Sequence, residues 1–348
     1  MDDRDKAGRM PPALPFSFTQ EGLDAVDLAI IRILQADGRM PFVEVAERVG
    51  VSERTVRRKF YRMVENRTLQ VVAVANPLTM GYHCPAIIGI QCDLPKIGEL
   101  MAALCGLPQL RFVALATGPY EIIVEGYFPT HSDLYNFRSQ VLHKIDGVNH
   151  STVAIVLQVE KQIYHWALPG TEPESQERTG PLHLAGPEYR PRLTALDLDI
   201  IRWLQRDGRM PNSDLAARVG VSPVTVAKRV HQLRNDAVIR VVAVVNPFHA
   251  GFRTPAIIGL NIEPHRQPKV MEHLCLHPRL TYAAVTTGEF DAVVMGYFAD
   301  NQDLARFVVT ELASIHGLRR VNTSILFAIP KQAYDWGAVP MVSLESTE

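Results

Sequence analysis

The chain has 348 residues, 47% hydrophobic and 21% charged, with a formal net charge of −1. That length implies at least two domains, and the near-neutral balance excludes a globally basic nucleic-acid coat, so any such surface must be local. No apolar run approaches the roughly 20 residues of a membrane span, and the four cysteines (Cys84, Cys92, Cys105, Cys275) form no C-x-x-C, as expected of thiols in a reducing compartment.

Residues 1–22 (MDDRDKAGRMPPALPF and the six that follow) carry charge and Pro11, Pro12 and Pro15. They lack an apolar signal-peptide core and read as a flexible tail, which places the expected location in the cytoplasm. Leu23 to Pro41 (LDAVDLAIIRILQADGRMP) then opens a unit that recurs 170 residues later as LTALDLDIIRWLQRDGRMP, Leu193 to Pro211. At this fixed offset Leu23–Trp166 aligns without a gap on Leu193–Trp336, with roughly 57 of about 144 pairs identical. The chain is a tandem duplication.

Within the first copy, Asp24 is a candidate N-cap, and Val26, Ile30, Ile33 and Leu34 lie at helical spacing. Asp37-Gly38 predicts the helix end, with glycine supplying a left-handed turn. Phe42 to Val49 reads as a short second helix with Val45, Ala46 and Val49 inward. Gly50-Val51-Ser52 is a tight turn whose serine caps a third helix, Glu53 to about Glu65. This succession is the helix-turn-helix pattern, in which the N-terminal end of the third helix enters a major groove.

The third helix is basic. Arg54, Arg57, Arg58, Lys59, Arg62 and Arg67 outweigh Glu53 and Glu65, a net charge of +4. A charge run is ordinarily a solvated helix face; here the turn chemistry and its repetition point to double-stranded DNA, whose phosphates need such a cluster. Ser52, Arg54, Thr55, Arg57, Arg58, Lys59 and Arg62 are the first set of DNA-binding candidates. The second copy supplies Ser222, Thr225, Lys228, Arg229 and Arg234, with Pro223 at the first helical position. Arg54 becomes Val224 and Arg57 becomes Ala227, so the two helices present unlike edges and should not read the same half-site.

Val71–Val74 is a strand signal, Pro85–Cys92 a second, Ile97–Cys105 an amphipathic helix. Arg111–Ala116 and Glu121–Phe128 flank a hairpin turn, Thr117-Gly118-Pro119-Tyr120. Ser132–Ile145 predicts a helix with Leu134, Phe137, Val141 and Leu142 inward, and Thr152–Val159 a last strand. The β-α-β-β-α-β order is ferredoxin-like: an antiparallel sheet with two helices on one face. Its other face is apolar by alternation and uncovered within the unit, so it requires a partner sheet.

The expected class is therefore α+β, two copies of a three-helix winged-type helix-turn-helix followed by a βαββαβ domain. The boundaries are 1–22 tail, 23–72 helix-turn-helix, 73–166 βαββαβ, 167–192 a Pro/Gly-rich charged linker, 193–242 helix-turn-helix, 243–336 βαββαβ, and 337–348 tail.

LDAVDLAIIRILQADGR, LAARVGVSPVTVAKRV and VTTGEFDAVVMGYF, in this order, resemble the Lrp/AsnC (leucine-responsive, feast-or-famine) transcription regulators, and the resemblance covers about 290 residues. It implies DNA binding by the helix-turn-helix, pairing of sheets into dimers and higher homo-oligomers, and sensing of an amino acid or related small molecule at the sheet domain. Family members usually carry one unit per chain, so this chain can form the dimer equivalent within itself. The family's Gly-x-aromatic-Asp ligand loop is carried over as Gly288-Glu289-Phe290-Asp291, and in the first copy as Gly118-Pro119-Tyr120-Glu121. Its acid could meet an effector's ammonium group, or be no more than the exposed acid of a hairpin turn. Thr323 and Ser324 place hydroxyls on the last strand of the second copy, where the first has Val153 and Ala154, so the second copy is the better candidate sensor. Where the family closes the recognition helix with glycine, this chain has Asn66-Arg67 and Asp236-Ala237, and Asn or Asp is expected to take the left-handed cap.

An enzymatic alternative exists, because sirohaem decarboxylases resemble the same two-domain architecture and use His and Arg of the sheet domain on a tetrapyrrole. His83, His131, His143, His150, His165, His273 and His277 are the residues it would draw on. None is matched by a histidine in the other copy, so no metal or cofactor is expected and the regulator is the leading expectation.

Overall fold

A computed structural model describes residues 22–163 and 193–332. The expected terminal tails and linker fall essentially outside these residues. Among the described residues no helix is long and apolar enough to cross a membrane.

The first three helices are α1 (Ala25–Ala36), α2 (Phe42–Val49) and α3 (Glu53–Glu65). Asp24 and Asp27 form a capping box that satisfies amides at the start of α1. Ile30, Ile31 and Leu34 are fully buried, and Gly50 closes α2 with φ of 76°. Ser52 accepts from the Thr55 amide at 3.2 Å and starts α3. The second copy repeats this as α6 (Ala195–Arg206), α7 (Asn212–Val219) and α8 (Pro223–Asn235), with Thr194, Gly220 and Ser222 in the same roles.

Gly38 is not left-handed; its role is close approach. A Cβ there would lie 2.8 Å from Val71 Cγ1 and 3.1 Å from the Val241 carbonyl oxygen. Its amide donates to Val241 O at 3.0 Å, and the Gly208 amide donates to Val71 O at 2.8 Å, so each turn docks on the other copy's strand. At the recognition-helix ends, Asn66 and Asp236 keep negative φ (−77° and −79°). The left-handed residues are the next ones, Arg67 and Ala237, at φ of 54° and 52°, a conformation that costs a non-glycine residue about 1–2 kcal/mol.

Strands β1 (Leu69–Ala75) and β6 (Ile239–Val245) pair with each other, antiparallel over their full length, as a two-stranded ribbon joining the copies. One ribbon face (Val71, Ala73, Ala75, Val241, Ala243, Val245) belongs to a core that also contains Ile30, Leu34, Ile200 and Leu204, so both helix-turn-helix units share one apolar core. Val72, Val74 and Val242, on the other face, are buried as well.

The remaining strands of the first copy are β2 (Cys84–Cys92), β3 (Leu110–Ala116), β4 (Ile122–Phe128) and β5 (Val148–Gln162), with α4 (Ile97–Gly106) and α5 (His131–Asn136). Those of the second are β7 (Thr254–Ile262), β8 (Leu280–Thr286), β9 (Ala292–Phe298) and β10 (Leu318–Gln332), with α9 (Gln267–Leu276) and α10 (Asn301–Arg306). The eight strands close a barrel in the order β10-β3-β4-β2-β5-β8-β9-β7. The last strands make the closure and are longer than the period-two pattern predicted. The first half of β5 pairs with β2, and its second half crosses to β8 through register shifts near Val156 and Val159. β10 does the same from β7 to β3. Bulges supply the bend that closure needs. The uncovered sheet faces thus meet within one chain.

The helix expected at Ser132–Ile145 is interrupted. After α5 comes a π turn, Phe137–Val141, then a 3-10 turn, Leu142–Lys144, and the second copy does the same. Leu134, Phe137 and Leu142 still face inward, with Phe137 packed on Phe128 at 5.1 Å between ring centroids. Each copy keeps its own helix-on-sheet core outside the barrel.

Candidate nucleic-acid interface and effector pocket

The third helices divide their basic residues into two groups. Arg54 and Arg58 project from α3 as exposed cations, as does Lys228 from α8, none with an ion pair among the described residues. Arg57, 53% exposed, pairs with Glu53 at 2.6 Å and lies over the Phe42 ring. Thr55 and Thr225 sit one turn in, each hydroxyl hydrogen-bonded to its capping serine. Arg234 reaches Asp37 of the other copy at 3.3 Å.

The other group pairs with acids at the start of the first helix of its own unit. Lys59 is only 9% exposed; its Nζ donates to Asp24 and, at 3.2 Å, to Asp27. Arg62 donates to the other Asp27 oxygen at 2.6 Å. In the second copy Arg229 pairs with Asp197, which is fully buried. The Lys59 hydrogen bond and the Asp27 amide hold the Asp24 carboxyl at about 2. These cations clamp the recognition helix to the start of the first helix, a structural task that the +4 count over Glu53–Arg67 does not distinguish from phosphate binding.

Sequence reasoning missed the residues between the two units. Arg39 donates to Gly208 O at 3.3 Å and Met210 O at 3.1 Å; Arg209 donates to Gly38 O at 2.6 Å and Met40 O at 2.9 Å. Arg209 also stacks over Phe42 at 4.0 Å. Burial lowers both guanidinium pKa values, although arginine remains charged. The signal was present: Asp-Gly-Arg-Met-Pro stands unchanged at 37–41 and 207–211.

The two Gly-x-aromatic-acid hairpins, read in sequence as separate sites, face one pocket. Tyr120, Pro119, Glu289 and Phe290 line it together with Thr152, Ala154, Asn322 and Ser324 of the last strands. Gly118 and Gly288 both have φ of 99°. Each hairpin is pinned to the other copy's last strand: Thr117 N to Ile325 O and Thr287 N to Ile155 O, both at 2.9 Å. The Tyr120 hydroxyl donates to Glu289 Oε2 at 2.6 Å across the copies; burial and that acid raise its pKa. Gly89 and Gly259 admit the aromatic rings, since a Cβ on either would lie 2.5 Å from Tyr120 or Phe290.

The loop acids already have partners. Asp291 accepts from the Ile262 amide at 2.8 Å and Glu121 from the Cys92 amide at 3.0 Å, so each closes a strand end. On β10 it is Asn322 and Ser324 that line the pocket; among these positions Thr323 contributes its carbonyl near Gly118. Among the histidines, His143 bonds Ser151 at 2.8 Å and His277 bonds Glu311 at 2.5 Å. Among the described residues no cluster of His, Cys, Asp or Glu could hold a metal.

Paired helix-turn-helix units on a closed barrel with a pocket between its hairpins define a duplicated, ligand-binding helix-turn-helix regulator. Residues 23–64 and 193–234 match the AsnC-type helix-turn-helix domain, and residues 85–165 and 255–336 match the Lrp/AsnC ligand binding domain. An uncharacterized HTH-type transcriptional regulator of Pyrococcus abyssi is 37% identical over 144 residues, 41% of this chain and 91% of the relative. The regulator FL11 of Pyrococcus furiosus is 33% identical over 141 residues, 40% of this chain and 93% of the relative. The chain belongs to the Lrp/AsnC family of transcriptional regulators, in a tandem form carrying two family units. Across both copies its fold is similar to that of the siroheme decarboxylase NirDL, with a TM-score of 0.60, 16% identity, and coverage of 88% of this chain and 93% of that one.

Proposed function

We propose that the chain is a sequence-specific DNA-binding regulator in which one polypeptide supplies both halves of the usual dimer. The β1–β6 ribbon carries this reading, because it holds two recognition helices as one body without a second chain. Arg54, Thr55, Arg57 and Arg58 on one side, and Thr225, Lys228 and Arg234 on the other, contact operator DNA, with Ser52 and Ser222 setting the helix ends. Lys59, Arg62 and Arg229 hold those helices in place. Exposed Val224 stands where the first copy has Arg54, so the two half-sites differ.

The hairpin pocket takes the effector, an amino acid or related small molecule. Its aromatic floor and the Tyr120–Glu289 bridge between copies support that placement. An effector that prefers one arrangement of the two hairpins shifts operator affinity by that preference. Leu157 and Phe327, equivalent residues exposed at 60% and 61% on the long last strands, are contacts for a homo-oligomer. The protein acts on DNA in the cytoplasm and has no catalytic step of its own.

The test is a titration of the full chain with DNA from upstream of its own gene at two salt concentrations, with amino acids added in turn. Tight, salt-dependent binding that an amino acid shifts supports the reading. No DNA binding at low salt, together with a visible absorbance change on adding an iron tetrapyrrole, would instead favour an enzyme of the sirohaem-decarboxylase kind.

A further inference from the structure

The barrel contains a second cavity, on the side facing the ribbon. Val74 of β1 forms part of its wall, with Phe112, Tyr282, Met295 and Glu125 from the barrel strands. Two equivalent pairs, Ile87 with Ile257 and Ile123 with Val293, border both this cavity and the hairpin pocket. They form an apolar partition between the two spaces.

Glu125 is the carboxyl in this wall. It lies inside the barrel yet keeps accessible surface, and that surface belongs to the cavity. Tyr127 donates to it at 2.8 Å. Burial raises its pKa to about 7 against the lowering effect of the Tyr127 and Tyr282 hydroxyls. Its equivalent in the second copy is Met295, in the opposite wall. The same fold therefore accepts an apolar residue at this position, and a carboxyl among apolar walls costs stability. Glu125 has its hydroxyl partner in Tyr127, and a ligand carrying a basic nitrogen would add a counter-charge to it. The other charged group lining this cavity is Arg111, which is 7% exposed.

We propose that the barrel interior binds a small molecule with an apolar body and one basic nitrogen, the nitrogen seated against Glu125 and the body against the isoleucine partition. This site is separate from the hairpin pocket. An occupant touches Val74, hence the ribbon that spaces the recognition helices, and so reaches the DNA-binding units directly.

The experiment is isothermal calorimetry on the full chain with n-hexylamine and phenethylamine, against hexan-1-ol and hexanoate. Both amines should bind at pH 8, at least tenfold more tightly than the alcohol, and hexanoate should not bind. Affinity should weaken between pH 8 and pH 6 as Glu125 takes up a proton; the other titratable groups lining the cavity are Arg111, Tyr127, Tyr282 and Tyr297. Glu125→Met should lose at least tenfold in amine affinity, and Glu125→Gln, of nearly unchanged shape, should lose it too. Gly259→Ala, whose added methyl meets Phe290 in the hairpin pocket, should leave amine binding intact. The proposal is overturned if neither amine binds, if hexanoate binds in their place, if both Glu125 variants bind amines as the native chain does, or if Gly259→Ala alone abolishes binding.

Discussion

Arg39 and Arg209 exchange places: each guanidinium crosses to the other copy and donates to two backbone carbonyls of the loop from which its counterpart springs. The two DNA-binding units are thereby tied into one body by side chains as well as by the ribbon. A hydrogen bond to a charged donor contributes about 1.5–3 kcal/mol, and a carbonyl left buried without it costs a comparable amount. Arg39→Ala and Arg209→Ala should each lower unfolding stability by about 2–3 kcal/mol in a denaturant titration. Operator affinity should fall more than non-specific affinity, because the fixed spacing goes while phosphate-facing charge is kept.

The split among basic residues makes a second prediction. Arg54→Ala with Arg58→Ala should leave the melting temperature unchanged and reduce the slope of log affinity against log salt by about 2, roughly one for each phosphate no longer neutralised. Lys59→Ala leaves Asp27, 1% exposed, short of a partner. Because Arg62 still pairs with Asp27, the substitution should destabilise the first helix-turn-helix by about 1–3 kcal/mol and show in thermal unfolding before it shows in the salt slope.

At the hairpin pocket, Gly259→Ala puts a methyl group where the Phe290 ring lies, 2.5 Å away. The ring must leave. Effector response should disappear while operator affinity without effector stays within about twofold, a change of roughly 0.4 kcal/mol. Gel-shift titrations with and without the effector amino acid check this; an unchanged response would remove the pocket from the sensing account.

Glu125 gives a pH signature independent of any ligand. Its folded pKa is raised from 4.5 to about 7, so the folded state binds the proton more tightly than the unfolded chain. That contribution is fully present below about pH 4.5 and is lost as pH rises through about 7. The shift corresponds to at most about 3 kcal/mol. Glu125→Gln should flatten this part of the profile, so that its stability relative to the native chain improves between pH 5 and pH 8 in parallel urea titrations.

Much of this was legible in the sequence because each copy repeats local rules: Ser52 and Ser222 as caps, Gly50 and Gly220 as left-handed turns, period-two alternation in the strands. The 170-residue offset reveals the duplication, but it leaves open whether the sheets pair within one chain or between chains. What stayed hidden depends on contacts between copies. Gly38 reads locally as a helix-ending glycine, yet its space is set by Val71 and Val241. The strands β5 and β10 run past their alternating cores because their second halves pair with the other copy. Lys59 and Arg58 are neighbours of like charge in sequence, and only the position of Asp27 on α1 sends one inward and leaves the other to solvent. Glu125 carries no sequence signal beyond a Met at its equivalent position.

One chain thus holds two unlike recognition helices as a fixed pair. In vitro selection of binding sites from random DNA by the full chain tests it most directly. A fixed pair of unlike helices should select a non-palindromic site with two different half-sites about one helical turn, 10–10.5 base pairs, apart. Arg54→Ala with Arg58→Ala should relax the sequence of one half-site only, and Lys228→Ala that of the other. A palindromic site, or relaxation of both half-sites by either variant, would contradict it.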